Sequence, residues 1–545
     1  MFRSLLLAST AVLLLPHGAM ADTVSIGAVT LTSVPAVAVE EDKSAATVLS
    51  PELDRMAAAE GKMPVENPTE LITHYGFSGD GPLSPAEGDV QSKEHNVEAT
   101  KTEPDKNTYL VLDGQTGPDA AYAYGSHFLF QGHENGPKTR DGKTQGALTR
   151  VNLDADAAHR VTLMATQTED GQPLPAIDGS AWNPFAKVIL LTSEEGKDGG
   201  VWQATAGFPS KVRDISGLTG RGAYEGVEMA SDGSIWLAED EGGKGGEKTS
   251  HAKQPNSFLY RVIPDDKADL SKGGKLQVLQ VTGPDGQPIV FHDGQKDEDI
   301  LSAGMKALHA YGNSFKTRWI TIHDTAKDGA TPFDANAAAK AAMGTPFKRP
   351  ENGQFRPASD FREYVFTETG DTNVKSEAGA EHGGFGGVFK ITQDSPSADE
   401  GMLSLVYRGD AEHSGFDNLS FLDADHLAVV EDAGAKLHGQ RKAFDSAYVI
   451  DLKADYGKAD AGLPVRFIAE GRDDAATLDG KLMAEGDNGF QNDDDNEITG
   501  IHVSDGNATV EGLIGTRAPT AFKDGWRVFY TQQHGDNITW EVTAK

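Results

Sequence analysis

Five segments place carboxylates where chemistry could be done: Glu194-Glu195, Tyr224-Glu225-Gly226-Val227-Glu228, Phe347-Lys348-Arg349-Pro350-Glu351, Phe416-Asp417-Asn418-Leu419 and Asn496-Glu497-Ile498-Thr499-Gly500. Each sets an acid near the start or end of a strand-like pattern. Ca²⁺ takes roughly six to eight hard oxygen ligands and tolerates irregular geometry, which acids gathered from distant sequence can supply. Gathered without a cation, they would repel one another strongly. The chain has no cysteine, so thiolates are excluded and only oxygen and imidazole remain as ligands. Asp493-Asp494-Asp495 lacks the spaced glycine and terminal glutamate of an EF-hand loop and reads as a solvated approach to Glu497. His323-Asp324 reads as a capped strand end, and His382 and His413 read as surface histidines in glycine-rich loops.

The elements that must position these acids repeat six times. Apolar strand patterns end in acidic or histidine-bearing tips at Phe128–His133 with Glu134, Ile189–Ser193 with Glu194, Ile235–Glu239 with Asp240, Tyr364–Glu368, Leu427–Glu431 with Asp432, and Val528–Gln533 with His534. After each comes a second strand pattern, starting at Leu148, Gly200, Phe258, Gly387, Ala447 and Ile538. Strand, turn, acid-tipped strand, loop and strand is the grammar of a propeller blade, and a ring of blades delivers the same end of every strand to one axis. The expectation is an all-β, six-bladed β-propeller with short helical insertions, chiefly the alanine-rich run at 333–343.

Composition frames this reading. With 83 Asp and Glu against 49 Lys and Arg, the net charge of −34 repels phosphate backbones, so nucleic acid is excluded as a partner. Residues 1–21 read as a signal peptide: Arg3, an apolar stretch at 5–15 too short for a membrane span, and Ala19-Met20-Ala21 as a cleavage site, with no twin arginine. Export to the periplasm or medium in unfolded form is expected. Residues 22–107 form an acidic extension, weak in periodicity, that wraps the propeller or stays disordered, and 108–545 form the propeller. A ring of this size closes its own core, so a monomer is expected.

At these residues the sequence resembles the PhoX family of bacterial alkaline phosphatases, in order from about Tyr122 to His534. The family's His-Glu, Thr-Cys-Glu-Glu and His-Glu segments resemble His133-Glu134, Thr192-Ser193-Glu194-Glu195 and Tyr224-Glu225. Its Thr-Glu-Asp with Leu-Tyr-Arg-Phe resembles Ala238-Glu239-Asp240 with Leu259-Tyr260-Arg261-Val262. Its Arg-Pro-Glu, Asp-Asn-Leu, Glu-x-Thr-Gly and Gln-His segments resemble Arg349-Pro350-Glu351, Asp417-Asn418-Leu419, Glu497-Ile498-Thr499-Gly500 and Gln533-His534. The resemblance implies an iron and calcium cluster at the axial mouth and hydrolysis of small phosphomonoesters. It implies Glu194, Glu195, Glu225, Glu351, Asp417 and Glu497 as metal ligands and Arg349 as the catalytic phosphate clamp, a role its planar fork suits.

The departures imply a divergent member. Ser193 stands where the family has its metal-binding cysteine, and Tyr224 replaces a histidine. A hydroxyl is a far poorer Fe³⁺ ligand than a thiolate, and the family's twin-arginine signal is missing, so Ca²⁺ is the expected cofactor and iron is disfavoured. The alternative is a non-catalytic propeller that keeps calcium for rigidity or binding.

Overall fold

The computed structural model describes residues 22–39, 46–76, 102–137, 144–471, 497–523, 525–533 and 537–545. The signal-like residues 1–21, Asp493-Asp494-Asp495 and His534 lie outside the described residues. The chain is a six-bladed β-propeller. Counting from the hub outward, blade 1 comprises Pro104–Val111, His127–His133, Leu148–Asn152 and Val161–Ala165. Blade 2 comprises Ser180–Asn183, Val188–Ser193, Gly200–Thr205 and Val212–Asp214. Blade 3 comprises Tyr224–Met229, Ile235–Glu239, Leu259–Pro264 and Gly274–Val281. Blade 4 comprises Pro350–Phe355, Glu363–Glu368, Gly387–Gln393 and Glu400–Arg408. Blade 5 comprises Phe416–Phe421, His426–Glu431, Ser446–Asp451 and Val465–Ala469. Blade 6 comprises Glu497–Ser504, Arg527–Gln533 and Ile538–Ala544, and its outermost strand is Leu53–Ala59 from the other end of the chain.

The continuous apolar runs follow from this stacking. Side chains alternate across a strand, and both faces of a blade are covered by its neighbours. In blade 2, Ile189 and Leu191 pack with Phe128, Phe130 and Leu148 of blade 1. Between them, Leu190 packs the other way, with Val227, Leu237 and Tyr260 of blade 3. Blade 5 repeats the rule: Leu427 and Val429 meet Val365 and Val388 of blade 4, while Ala428 and Val430 meet Ile501 and Val503 of blade 6. Trp236 and Phe366 fill the interface of blades 3 and 4, and Phe529 with Leu129 and Tyr109 that of blades 6 and 1. Each Leu or Phe buried this way contributes about 1.5–3 kcal/mol.

Ring closure joins the two chain ends: Ala57 pairs with Trp540, Arg55 with Val542 and Leu53 with Ala544. The segment at 22–107 therefore contributes directly to the ring. It supplies this strand, Val48–Leu49 on the edge of blade 5, and the start of the first hub strand at Pro104. Phe315–Asp324 bridges the outer edges of blades 3 and 4, and the alanine-rich run forms the helix Ala335–Ala341.

Every hub strand runs antiparallel to the second strand of its blade, so the start of one lies beside the end of the other. Tyr224 faces Glu239, Pro350 faces Glu368, Phe416 faces Glu431 and Glu497 faces Gln533. In five of the six blades the register slips within the first residues of the hub strand. Such bulges twist a strand locally and re-aim its side chains. Here they sit at the acids.

Candidate metal centre

Seven carboxylates from five blades converge at that end of the axis. Candidate ligand oxygens of Glu134, Asp178 and Glu194 lie within 4.8 Å of one another, as do those of Glu194, Glu225 and Asp240, and those of Glu225, Glu351 and Asp417. Glu194 and Glu225 each belong to two triads, so the three form one continuous chain. Glu194, Glu225, Glu351 and Asp417 are thus brought together. Glu497 stands buried at the start of the blade 6 hub strand, beside Gln533 and outside these triads. Glu195 is exposed, next to a short helical turn at Gly196–Asp198, and also lies outside them.

The cluster carries the electrostatic signature of a cation site. Burial first, then the neighbouring acids, pushes Glu194, Glu225, Asp178 and Asp417 well above the carboxylate range. The same causes raise Glu134 to about 8 and Glu351 to about 7. Asp105, at the start of the first hub strand, is raised to about 8 by burial and by Asp432 and Glu194. So many buried acids in one place can stay ionised only beside positive charge.

Two fixed cations supply part of it. Arg349 donates from Nε to both oxygens of Asp240 at 2.8 and 3.0 Å and from Nη2 to Oδ2 at 2.5 Å, with Glu351 at 3.6 Å. Burial alone would lower this guanidinium, but Asp240 and Glu351 outweigh it and raise it. Arg349 adopts φ +63° immediately before Pro350, an uncommon backbone for a long side chain, at the point where the fork turns into the hub. From below, Lys106 donates to Asn352 Oδ1 at 2.9 Å, and Asn352 Nδ2 donates to Glu225 Oε1 at 2.8 Å. Thr369 donates to Glu351, and Asn418 to Asp417 at 2.9 Å. Such supporting hydrogen bonds fix the orientation of metal-binding carboxylates.

Other acidic tips are held by the fold. Glu239 accepts from Tyr260 at 2.9 Å and Asn336 at 3.1 Å. Glu368 accepts from the Lys348 amide and is bonded to His309, both at 2.7 Å. Glu431 accepts from both terminal nitrogens of Arg441 at 3.1 Å. These three are structural. His413, read as a surface histidine, is buried between the rings of Tyr407 and Tyr448 and bonded to Asp410 at 3.0 Å.

The site therefore includes residues the sequence reading did not select: Asp105, Lys106, Asp178 and Asn352. Glu134 and Asp240 stood in its motifs but not among its ligands. The signal for the first and third was positional. Asp105 and Asp178 occupy in blades 1 and 2 the place that Glu225, Glu351, Asp417 and Glu497 occupy in the others. Ser193, in the cysteine's place, is fully buried, and its hydroxyl has no hydrogen-bond partner among the described residues. Among the described residues the clustered donors are all oxygen, which fits a hard cation such as Ca²⁺.

Fold and site together define a propeller whose hub gathers carboxylates that could hold metal ions. Residues 245–511 match the family model described as alkaline phosphatase PhoX. The solved structure of Pseudomonas fluorescens PhoX in complex with vanadate, a transition-state analogue, is similar at TM-score 0.54 and 11% identity, over 94% of this chain and 98% of its own. A gluconolactonase from Xanthomonas campestris is similar at TM-score 0.34 and 10% identity, over 93% of this chain and 99% of its own. No curated protein sequence matches. It is residues 245–511 that carry the match to the PhoX family of alkaline phosphatases. Among the described residues no helix is long and apolar enough to cross a membrane.

Proposed function

We propose that this chain is an exported, calcium-dependent phosphomonoesterase whose active centre is the hub. The observation that carries the reading is the chain of three interlocked carboxylate triads, whose buried acids can stay ionised together only beside positive charge. Glu194, Glu225, Glu351 and Asp417 would hold the ions, joined by Glu134, Asp178 and Asp240, with Glu497 at the same rim. Held by these residues, such ions would supply positive charge for the phosphoryl oxygens and would favour activation of the attacking water.

The chain's own groups do the rest. Asp240 fixes the guanidinium of Arg349 at the mouth, so its remaining N–H groups are pre-oriented toward charge that develops on a phosphoryl group. Asn352 and Lys106 set the orientation of Glu225. The surrounding blades exclude bulk water from the buried acids, which strengthens these interactions. Ser193 removes the one soft ligand that would favour iron, and this supports calcium as the working metal. Residues 1–21 support secretion or delivery to the periplasm.

The test is turnover of an aryl phosphate by purified protein with Ca²⁺, with Ca²⁺ plus iron, and after chelation. Turnover restored by Ca²⁺ alone is expected. Absence of turnover in all three rejects the reading.

The same Ser193 favours a second reading, a calcium-holding propeller without catalysis. In an enzyme, Glu351→Ala and Arg349→Ala both abolish turnover. In a structural protein, Glu351→Ala lowers the Tm of the Ca²⁺-loaded form and no substrate is hydrolysed.

A further inference from the structure

Of the cations around the hub mouth, most are already engaged. Arg349 is held by Asp240, Lys106 by Asn352, and Lys348 donates to both oxygens of Asp371 at 2.7 and 2.8 Å. Lys253 differs. It lies in the loop at 241–256, which leaves blade 3 at the hub end between its second and third strands.

Its backbone is firmly placed. The Lys253 amide donates to Asp371 Oδ1 at 2.9 Å, and its carbonyl accepts from Lys348 Nζ at 3.0 Å. Lys348 and Asp371 are both buried, and Ser376 donates to Asp371 at 2.6 Å. This anchors Lys253 to the residue immediately before Arg349. Its side chain is only partly buried, and its ammonium makes no hydrogen bond or ion pair with any described residue. After burial, the groups that act on that ammonium are Arg349, then Asp240, Asp371 and Glu351. An unpaired positive charge beside the clamp, on a rigid anchor, is the arrangement expected of a donor waiting for an anion.

We infer that Lys253 is a second phosphate-binding residue, whose ammonium hydrogen-bonds a non-bridging phosphoryl oxygen of the substrate beside Arg349. The inference rests on the phosphomonoesterase reading and deepens it: two cations at the mouth favour a doubly charged monoester over a singly charged diester.

The probe is inorganic phosphate, titrated calorimetrically into the full Ca²⁺-loaded protein, with metal content measured in parallel. Losing one charge-assisted hydrogen bond should weaken phosphate binding by roughly 10- to 100-fold in Lys253→Met, with metal content unchanged. Lys253→Arg, which keeps the charge, should bind phosphate within a few-fold of the unaltered protein. Unchanged phosphate affinity in Lys253→Met overturns the inference, and so does loss of metal, which would assign Lys253 to the cluster. If the unaltered protein neither binds phosphate nor hydrolyses an aryl phosphate, the phosphatase reading fails and this inference with it. If it does both while Lys253→Met matches it, only the inference fails.

Discussion

Replacing Glu351 by Gln should stabilise the metal-free protein and weaken the loaded one. The folded metal-free hub raises this carboxyl from 4.5 to about 7, through burial first and then Asp240. A raised pKa in the folded state means that the group's contribution is fully present below about pH 4.5 and is lost as pH climbs through about 7. At about 1.4 kcal/mol per pKa unit, the ionisable side chain costs about 3 kcal/mol at pH 8. Gln never ionises and avoids that cost. For a chain this long, about 3 kcal/mol corresponds to roughly 3 °C in Tm. In chelator at pH 8, Glu351→Gln should therefore melt about 3 °C above the parent, and near pH 4.5 the two should coincide. Saturating Ca²⁺ should reverse the order, because a neutral amide is a poorer ligand than a carboxylate. The assay is thermal unfolding across pH 4.5–8, with chelator and with Ca²⁺. A variant less stable than the parent at pH 8 in chelator, or equal Ca²⁺ stabilisation of both, refutes the electrostatic account of the hub.

Three further outcomes are expected. Asn352→Leu removes the amide that orients Glu225 and the acceptor of Lys106. Ca²⁺ affinity measured calorimetrically should fall by about 10- to 100-fold. Gly226→Ala would set a Cβ 2.4 Å from the Glu351 carbonyl oxygen, prying apart the hub strands of blades 3 and 4. It should cost about 2 kcal/mol or more by denaturant unfolding, with reduced Ca²⁺ uptake. Arg349→Ala leaves Asp240 buried without its partner, so the metal-free protein should lose about 3 kcal/mol in addition to any turnover, while Ca²⁺ narrows the gap by supplying the missing charge.

The sequence displayed the second and third strands of all six blades, because both faces of those strands are packed and their apolar runs are unbroken. The hub strands were harder to see. Glu103-Pro104-Asp105-Lys106-Asn107 and Asp178-Gly179-Ser180 look like turns, since one side of such a strand faces a polar axis instead of another blade. That is why Asp105, Lys106 and Asp178 went unselected. Local sequence also could not separate Glu194, which joins the cluster, from Glu368 and Glu431, which satisfy His309 and Arg441. His309 comes from the insertion between blades 3 and 4 and Arg441 from the helix Gly434–Arg441 just after the strand, and no local motif marks either as the acid's partner. Leu53–Ala59 blends into the acidic extension at 22–107 because a lone edge strand carries little periodic signal.

Because that strand docks against Ile538–Ala544, the circle of blades closes only when two stretches far apart in the sequence have met. Until then the acids from blades 1 and 5 have no fixed partners across the axis. The hub therefore becomes a chelating pocket only where the ring closes, and it samples the ions of that place. For a protein secreted before folding, selection between iron and calcium would be made by the surroundings as much as by Ser193.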